Sequence, residues 1–200
     1  MTDPLACAYV RLYLARAIKK HAPGRVDLLL DMALELVKLL HRLATSPAYA
    51  KDVVGSQMEV EKYLPLIEPA LEYLLQDVRV SEHVKDLDAI ILCISTAPDS
   101  TGLDVKDTSE NAKLSCALVR VLVSALPAEY ISRRAEALCS VCKVAEGSSS
   151  VQAATFRTLG ERLCESKPST ELCLPLMNSI WKNVRKLATL DEYLSVADIF

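Results

Sequence analysis

A chain of 200 residues, 51% of them apolar, with 5 glycines and 5% aromatics, has enough apolar side chain for a large core and a composition that favours helix over sheet. Its formal net charge of −3 leaves no basic footprint for nucleic acid and no strongly basic face for anionic lipid. No uncharged run approaches the roughly 20 residues needed to cross a bilayer, and the start shows no basic segment leading into an apolar one, so no signal peptide is expected and any membrane association is expected to run through partners.

The first helix is predicted to begin at Asp3, a good N-cap, with Pro4 at the first helical position, where its missing N–H costs nothing. Helical spacing gives Arg11 the neighbours Cys7, Ala8, Leu14, Ala15 and Ile18, a guanidinium within an apolar face. Such a charge either snorkels its head into water or meets a carboxylate or carbonyls, its own or a partner's. A second helix, 25–44, follows Pro23-Gly24. Its charges Asp27, Asp31, Glu35, Lys38 and Arg42 make one narrow polar stripe, and the rest is Leu, Val, Met or Ala, so neighbours are expected on several sides.

Residues 48–56 read as loop. A third helix is predicted from near Pro65 to Asp77, since a helix tolerates proline in its first turn. The fourth is predicted over 82–97 with Ser81 as its cap. Residues 98–107, rich in turn formers and without periodicity, read as an exposed loop. The fifth helix is expected over 109–125. The sixth starts at Pro127 with Ile131, Ala135, Leu138, Cys142 and Ala145 on one face. The seventh runs to about Glu165, and the eighth carries the stripe Cys173, Leu176, Met177, Ile180, Trp181, Val184 and Leu187. Thr189 and Glu192 form a capping box for the ninth, whose stripe Leu190, Tyr193, Ala197 and Phe200 reaches the last residue without a closing polar unit.

The pattern is all-α, about nine helices with no period-two strand. Helix pairs of HEAT-like length, with apolar faces too wide for isolated pairs, imply a HEAT-like α-solenoid of antiparallel pairs. Residues 1–200 are read as a single solenoid segment, a fragment of a longer one. The second and eighth helices are expected to be the most buried.

Chemistry-bearing constellations are sparse. The cysteines are Cys7, Cys93, Cys116, Cys139, Cys142, Cys164 and Cys173, an odd number set mostly in apolar helical stretches, which suits reduced, buried thiols in a cytosolic protein better than a disulfide framework. Cys139-Ser-Val-Cys142 has no second pair for zinc and lies late in an amphipathic helix, not between a strand and a helix as a redox motif requires, so it reads as two buried thiols one turn apart. His21, His41 and His83 lack metal-ligand spacing, and Asp27/Asp31 and Asp86/Asp88 read as solvated faces. Gly160 reads as a close helix contact. No catalytic set, metal site or cofactor site is expected.

Asp3-Pro4-Leu5 followed by Tyr9-x-Arg11-x-Tyr13-Leu14-x-Arg16 resembles the start of the α-solenoid in the large-subunit family of retriever, an endosomal recycling complex related to retromer. Arg11-Leu12-Tyr13-Leu14 is similar to the Pro-Arg-Leu-Tyr-Leu motif of the retromer large subunit, with Val10 in place of proline. Tyr63-Leu64-Pro65-Leu66 with Pro69-Ala70, Ala128-Glu129-Tyr130-Ile131-Ser132-Arg133, Phe156-Arg157-Thr158-Leu159-Gly160, and Trp181-Lys182 with Lys186-Leu187 and Tyr193 resemble later stretches of that family in the same order. Residues 98–113 stay unmatched. The resemblance implies a non-enzymatic scaffold, cytoplasmic and peripheral on endosomes through partners, serving return of cargo to the plasma membrane. It implies contact with an arrestin-like small subunit through Asp3, Pro4, Leu5, Tyr9, Arg11, Tyr13 and Leu14, and with other complex subunits and cargo adaptors, with no nucleic acid and no direct membrane insertion. It also places the chain in the N-terminal part of the family's solenoid, short of its C-terminal half. The alternatives are a generic HEAT- or PCI-type interaction subunit and a helical enzyme with a metal site.

Overall fold

The computed structural model describes residues 4–45, 64–95, 108–144 and 148–199. Among these every regular element is helical, ten α-helices and one 3-10 turn. The contacts divide the chain into two compact units, Met1–Lys106 and Asp107–Phe200. The loop predicted over 98–107 and that over 48–56 lie outside the described residues.

In the first unit α1 spans Pro4–His21 and α2 Val26–Thr45. Pro23 and Gly24 end the first helix, and the turn closes with Ala22 N–H donating to Ile18 O at 2.7 Å and Arg25 N–H to Ala22 O at 3.0 Å. Helix α2 is the centre of the unit and packs against α1, α3 (Glu68–Leu75) and α4 (Val80–Ser95). Its stripe behaves as the spacing predicts: Leu29, Leu30, Ala33, Leu36, Val37, Leu40 and Leu43 are buried, while Asp27, Asp31, Glu35 and Arg42 are exposed. Covering on three sides is what a helix with one narrow polar stripe requires.

The third helix starts later than its sequence suggests. Leu64–Leu66 forms a 3-10 turn, and α3 begins at Glu68 with Pro69 in its first turn. The two prolines are thus accommodated separately, Pro65 in the tight turn and Pro69 where an N–H would lack a partner anyway. Helix α4 begins at Val80, so Ser81 is not its cap. Its non-helical residue is His83, at φ −123° and ψ 25°, which kinks the first turn.

In the second unit α5 spans Thr108–Ala125, α6 Ala128–Arg133, α7 Ala135–Val144, α8 Ser149–Ser166, α9 Thr170–Val184 and α10 Leu190–Ala197. The predicted sixth helix is therefore two. Arg134 leaves the helical region at φ −115° and ψ 20°, and the apolar stripe continues across the break because Ile131, Ala135 and Leu138 all remain buried. Helix α8 is the hub and packs on α5, α6, α7, α9 and α10. Its buried face includes Phe156, Leu159, Leu163 and Gly160, the last in keeping with a close helix contact. Thr155 is buried on it, donating to Val151 O at 2.8 Å with its hydroxyl 3.3 Å from the Cys116 thiol. Arg162 Nη2 donates to Leu126 O at 2.5 Å, satisfying a carbonyl left over at the end of α5.

The expectation that the eighth predicted helix, here α9, would be among the most buried is not met. Only Leu176, Ile180 and Val184 of it are buried, and Leu174 is 72% exposed. Over its described side chains α5 is more enclosed, with Cys116–Val119 and Val121–Val123 buried. A clean narrow stripe needs cover on one side only. The width of an apolar face, not its regularity, decides how enclosed a helix becomes.

The capping box is present: Thr189 Oγ1 accepts from Glu192 N–H at 3.3 Å, and Glu192 Oε2 accepts from Thr189 N–H at 3.2 Å. Of the stripe on α10, Leu190 is 69% exposed, Tyr193 packs 5.7 Å from the Trp181 ring, and Phe200 lies outside the described residues.

Candidate partner-binding face

Helix α1 leans on α2 and α3 through a narrow side, on which Ala8 and Ala15 are fully buried. Small residues allow close approach there, and the rest of the circumference stays open. Tyr9 is 60% exposed, Tyr13 77%, Leu14 49% and Val10 48%. Four large apolar side chains in solvent on one helix form the kind of patch that marks an interaction surface.

Of the residues singled out by resemblance, Tyr9, Tyr13 and Leu14 share this open face, and Leu5 is half-buried. Pro4 opens α1 as the sequence predicts; Asp3 and its capping role lie outside the described residues. Arg11 is half-buried at the border between the Ala8–Ala15 line and the open face. Its Nη1 donates to Cys7 O at 3.4 Å, and its charge reaches Glu35 on α2. Lys38, donating to Glu35 at 2.7 Å, is the main cause that holds the Glu35 carboxyl below its ordinary value, and Arg11 and Arg42 add to it. The apolar surroundings inferred for Arg11 are thus only part of its environment, since the polar stripe of α2 lies within range.

Lys19 anchors the other end of α1. Its Nζ donates to Tyr73 O and Asp77 Oδ2, each at 2.6 Å, and sits 4.1 Å from the centre of the Tyr73 ring. One ammonium thus satisfies an end carbonyl of α3 and holds the Asp77 carboxyl below its ordinary value. A cleft of about 410 Å³ beside it is lined by charges that pair among themselves, Lys19 with Asp77 and Arg79 with Glu82.

The contact residues implied by the resemblance leave out Val10, Arg16 and Lys20. The last two are exposed, and the spacing of four, three and four through Tyr9, Tyr13, Arg16 and Lys20 was the available signal. All seven cysteines are thiols, with Cys116, Cys139 and Cys142 buried and Cys164 exposed. Burial, reinforced by Cys139 and Cys116, pushes the Cys142 thiol far above its ordinary value. Among the described residues no group of three or more His, Cys, Asp or Glu side chains is arranged to hold a metal ion, and no helix is long and apolar enough to cross a membrane.

Helices gathered around α2 in one unit and around α8 in the other, with every regular element helical among the described residues, define the class: an all-α protein of the helical-solenoid kind. The family model described as the VPS35L C-terminal domain matches residues 97–200, and the chain belongs to the VPS35L family. The human protein named VPS35 endosomal protein-sorting factor-like is 25% identical over 199 residues, covering 99% of this chain and 19% of the relative. The Danio rerio protein of that name is 24% identical over 200 residues, covering 99% and 19%. The Dictyostelium discoideum protein, VPS35 endosomal protein sorting factor-like, is 23% identical over 198 residues, covering 99% and 18%. The chain thus spans about a fifth of the length of the curated relatives it matches. The matching model is described as C-terminal, which does not agree with placing residues 97–200 short of the family's C-terminal half. What the structure adds on α1 is the exposure of Tyr9, Val10, Tyr13 and Leu14.

Proposed function

We propose that the chain is a non-enzymatic scaffold segment of a retriever- or retromer-like complex, serving recycling of cargo from endosomes to the plasma membrane. It works in the cytoplasm and reaches endosomes through its partners. The open face of α1 is where it holds an arrestin-like small subunit, with Tyr9, Tyr13 and Leu14 covered on binding and Arg11 at the rim. Asp3, Pro4 and Leu5 lead into the same contact, and other faces are left for further subunits and cargo adaptors. The observation that carries this reading is the exposure, on one helix, of Tyr9, Tyr13 and Leu14, among the residues that the resemblance places in the contact. Names of the relatives that speak of endosomal protein sorting support the broader part.

The test is calorimetric titration of the arrestin-like subunit into the 200-residue chain, with melting curves on the same samples. Tyr13→Ala should abolish most of the heat and leave the melting temperature unchanged. Arg11→Ala should weaken binding by about 2–5 kcal/mol if the partner buries that charge. An Arg11→Ala protein that melts early and binds in proportion to its folded fraction would make Arg11 an internal residue, held by Glu35 and Cys7, and remove it from the contact.

A further inference from the structure

Helix α1 contains no Asp or Glu between Pro4 and His21 and carries Arg11, Arg16, Lys19 and Lys20, in a chain whose net charge is −3. Two of these cations are answered from within the fold: Lys19 by Asp77, and Arg11 by the Cys7 carbonyl and the field of Glu35. Arg16 and Lys20 are exposed and take part in none of the ion pairs among the described residues. At about 100° and 1.5 Å per residue, Tyr9, Tyr13, Arg16 and Lys20 fall within roughly 60° of arc and along about 16 Å of helix. One stripe therefore runs from two exposed phenol rings to two unanswered cations.

We infer that the occupant of this stripe is a protein surface that carries carboxylates opposite Arg16 and Lys20 and an apolar patch opposite Tyr9 and Tyr13. The inference rests on the reading of α1 as a docking helix and adds the chemistry of what docks. Charge complementarity selects the class of occupant. Two cations are too few to hold a chain of net negative charge on an anionic bilayer, where each basic residue contributes only a small attraction and stable attachment takes clusters of them. They are also too few for nucleic acid, whose affinity is built on neutralising many phosphates. Against carboxylates in an interface that excludes water, two cations are sufficient, because each forms a charge-assisted hydrogen bond and like-charged partners are rejected. The tyrosines suit the same setting, with large apolar rings and a hydroxyl that finds a partner.

The experiment titrates the arrestin-like subunit into the 200-residue wild-type chain and into chains carrying Arg16→Glu with Lys20→Glu, or Arg16→Gln with Lys20→Gln, at low and high salt. The Gln pair guards against a loss of fold, since an acid near a helix C-terminus is unfavourable on its own. Melting curves accompany each. Charge reversal should weaken binding by about 100-fold and neutralisation by less, both with unchanged melting, and the wild-type affinity should fall with salt more steeply than that of the Gln pair. Binding that is lost in Tyr13→Ala yet indifferent to both charge pairs would overturn this inference and leave the docking reading standing. Absence of wild-type binding would sink both. Sedimentation with phosphatidylserine-containing vesicles and a gel shift with duplex DNA are run beside it. Capture by either that Arg16 and Lys20 variants abolish would show a lipid or nucleic-acid surface and contradict the inference.

Discussion

Ser149 Oγ donates to Glu192 Oε2 at 2.5 Å, tying the first residue of α8 to the capping box of α10. The same hydroxyl oxygen accepts from Ala188 N–H at 2.8 Å, so one serine joins the turn before α10 to its cap. The Ser149 contact is the main cause that holds the Glu192 carboxyl below its ordinary value, and the Thr189 and Ala188 backbones add to it. A carboxyl whose folded pKa lies below its unfolded one stabilises the fold above the unfolded value and loses that contribution as pH falls through the folded value. Acid titration followed by Trp181 fluorescence, which senses the neighbouring Tyr193, should show α10 loosening below the ordinary carboxylate range, and Ser149→Ala should move that transition to higher pH. Thr189→Ala should cost about 1 kcal/mol in a denaturant melt, the usual loss of an N-cap.

Lys19 links α1 to the end of α3, and the prediction for it separates charge from packing. Lys19→Met keeps much of the aliphatic stem but takes the ammonium away from Tyr73 O and Asp77, leaving Asp77 only the long bond from Gln76 Nε2 at 3.4 Å. A loss of about 1 kcal/mol is expected, below the usual figure for a hydrogen bond to a charged group because Asp77 is 60% exposed and water screens the pair. The loss should shrink in acid as the Asp77 carboxyl, held low by Lys19, finally takes up a proton. A destabilisation that is the same at neutral and acid pH would assign the effect to packing on Tyr73.

Core truncation should follow burial closely. Leu36 of α2 is fully buried, and Leu36→Ala should cost roughly 2–5 kcal/mol through the lost burial and the cavity left behind. Leu174→Ala, on the open side of α9 at 72% exposure, should stay within about 0.5 kcal/mol of wild type. Urea melts of the two variants check the contrast.

Thiol chemistry offers a graded readout. Cys164 is exposed, whereas Cys116, Cys139 and Cys142 are buried and burial pushes the Cys116 and Cys142 thiols up. A disulfide-exchange reagent at neutral pH should label Cys164 fastest and reach Cys142 only as the unit opens, since the thiolate is the reacting form. Denaturing the protein without reductant should release all seven thiols. A count of five would show that one disulfide had formed.

The helices were legible where apolar width and punctuation agreed. The narrow charged stripe of α2 and the Thr189–Glu192 box predicted both their local structure and their surroundings, because each depends on residues within a turn or two. The break at Arg134 was not legible, since the stripe through Ile131, Ala135 and Leu138 runs on as if the helix did. The kink is a backbone event that leaves the pattern of burial intact. The kink at His83 is of the same sort. Arg11 was legible as an unusual charge but not as one within electrostatic range of Glu35, because no spacing within α1 encodes its register against α2. Arg16 and Lys20 were overlooked for a different reason: their spacing from Tyr9 and Tyr13 was legible, but cations in the last turns of a helix are the ordinary complement of its dipole, and the burial of Ala8 and Ala15 is what shows that the shared face is the open one.

The central claim is that the open face of α1 is the docking face. A photo-crosslinking residue in place of Tyr13, 77% exposed, is compared with one in place of Leu174, 72% exposed on α9, so that accessibility is matched. Mixed with the arrestin-like subunit and irradiated, the chain labelled at Tyr13 should give a crosslinked heterodimer and the chain labelled at Leu174 should not. No crosslink at Tyr13, or equal yields from the two positions, would contradict the claim.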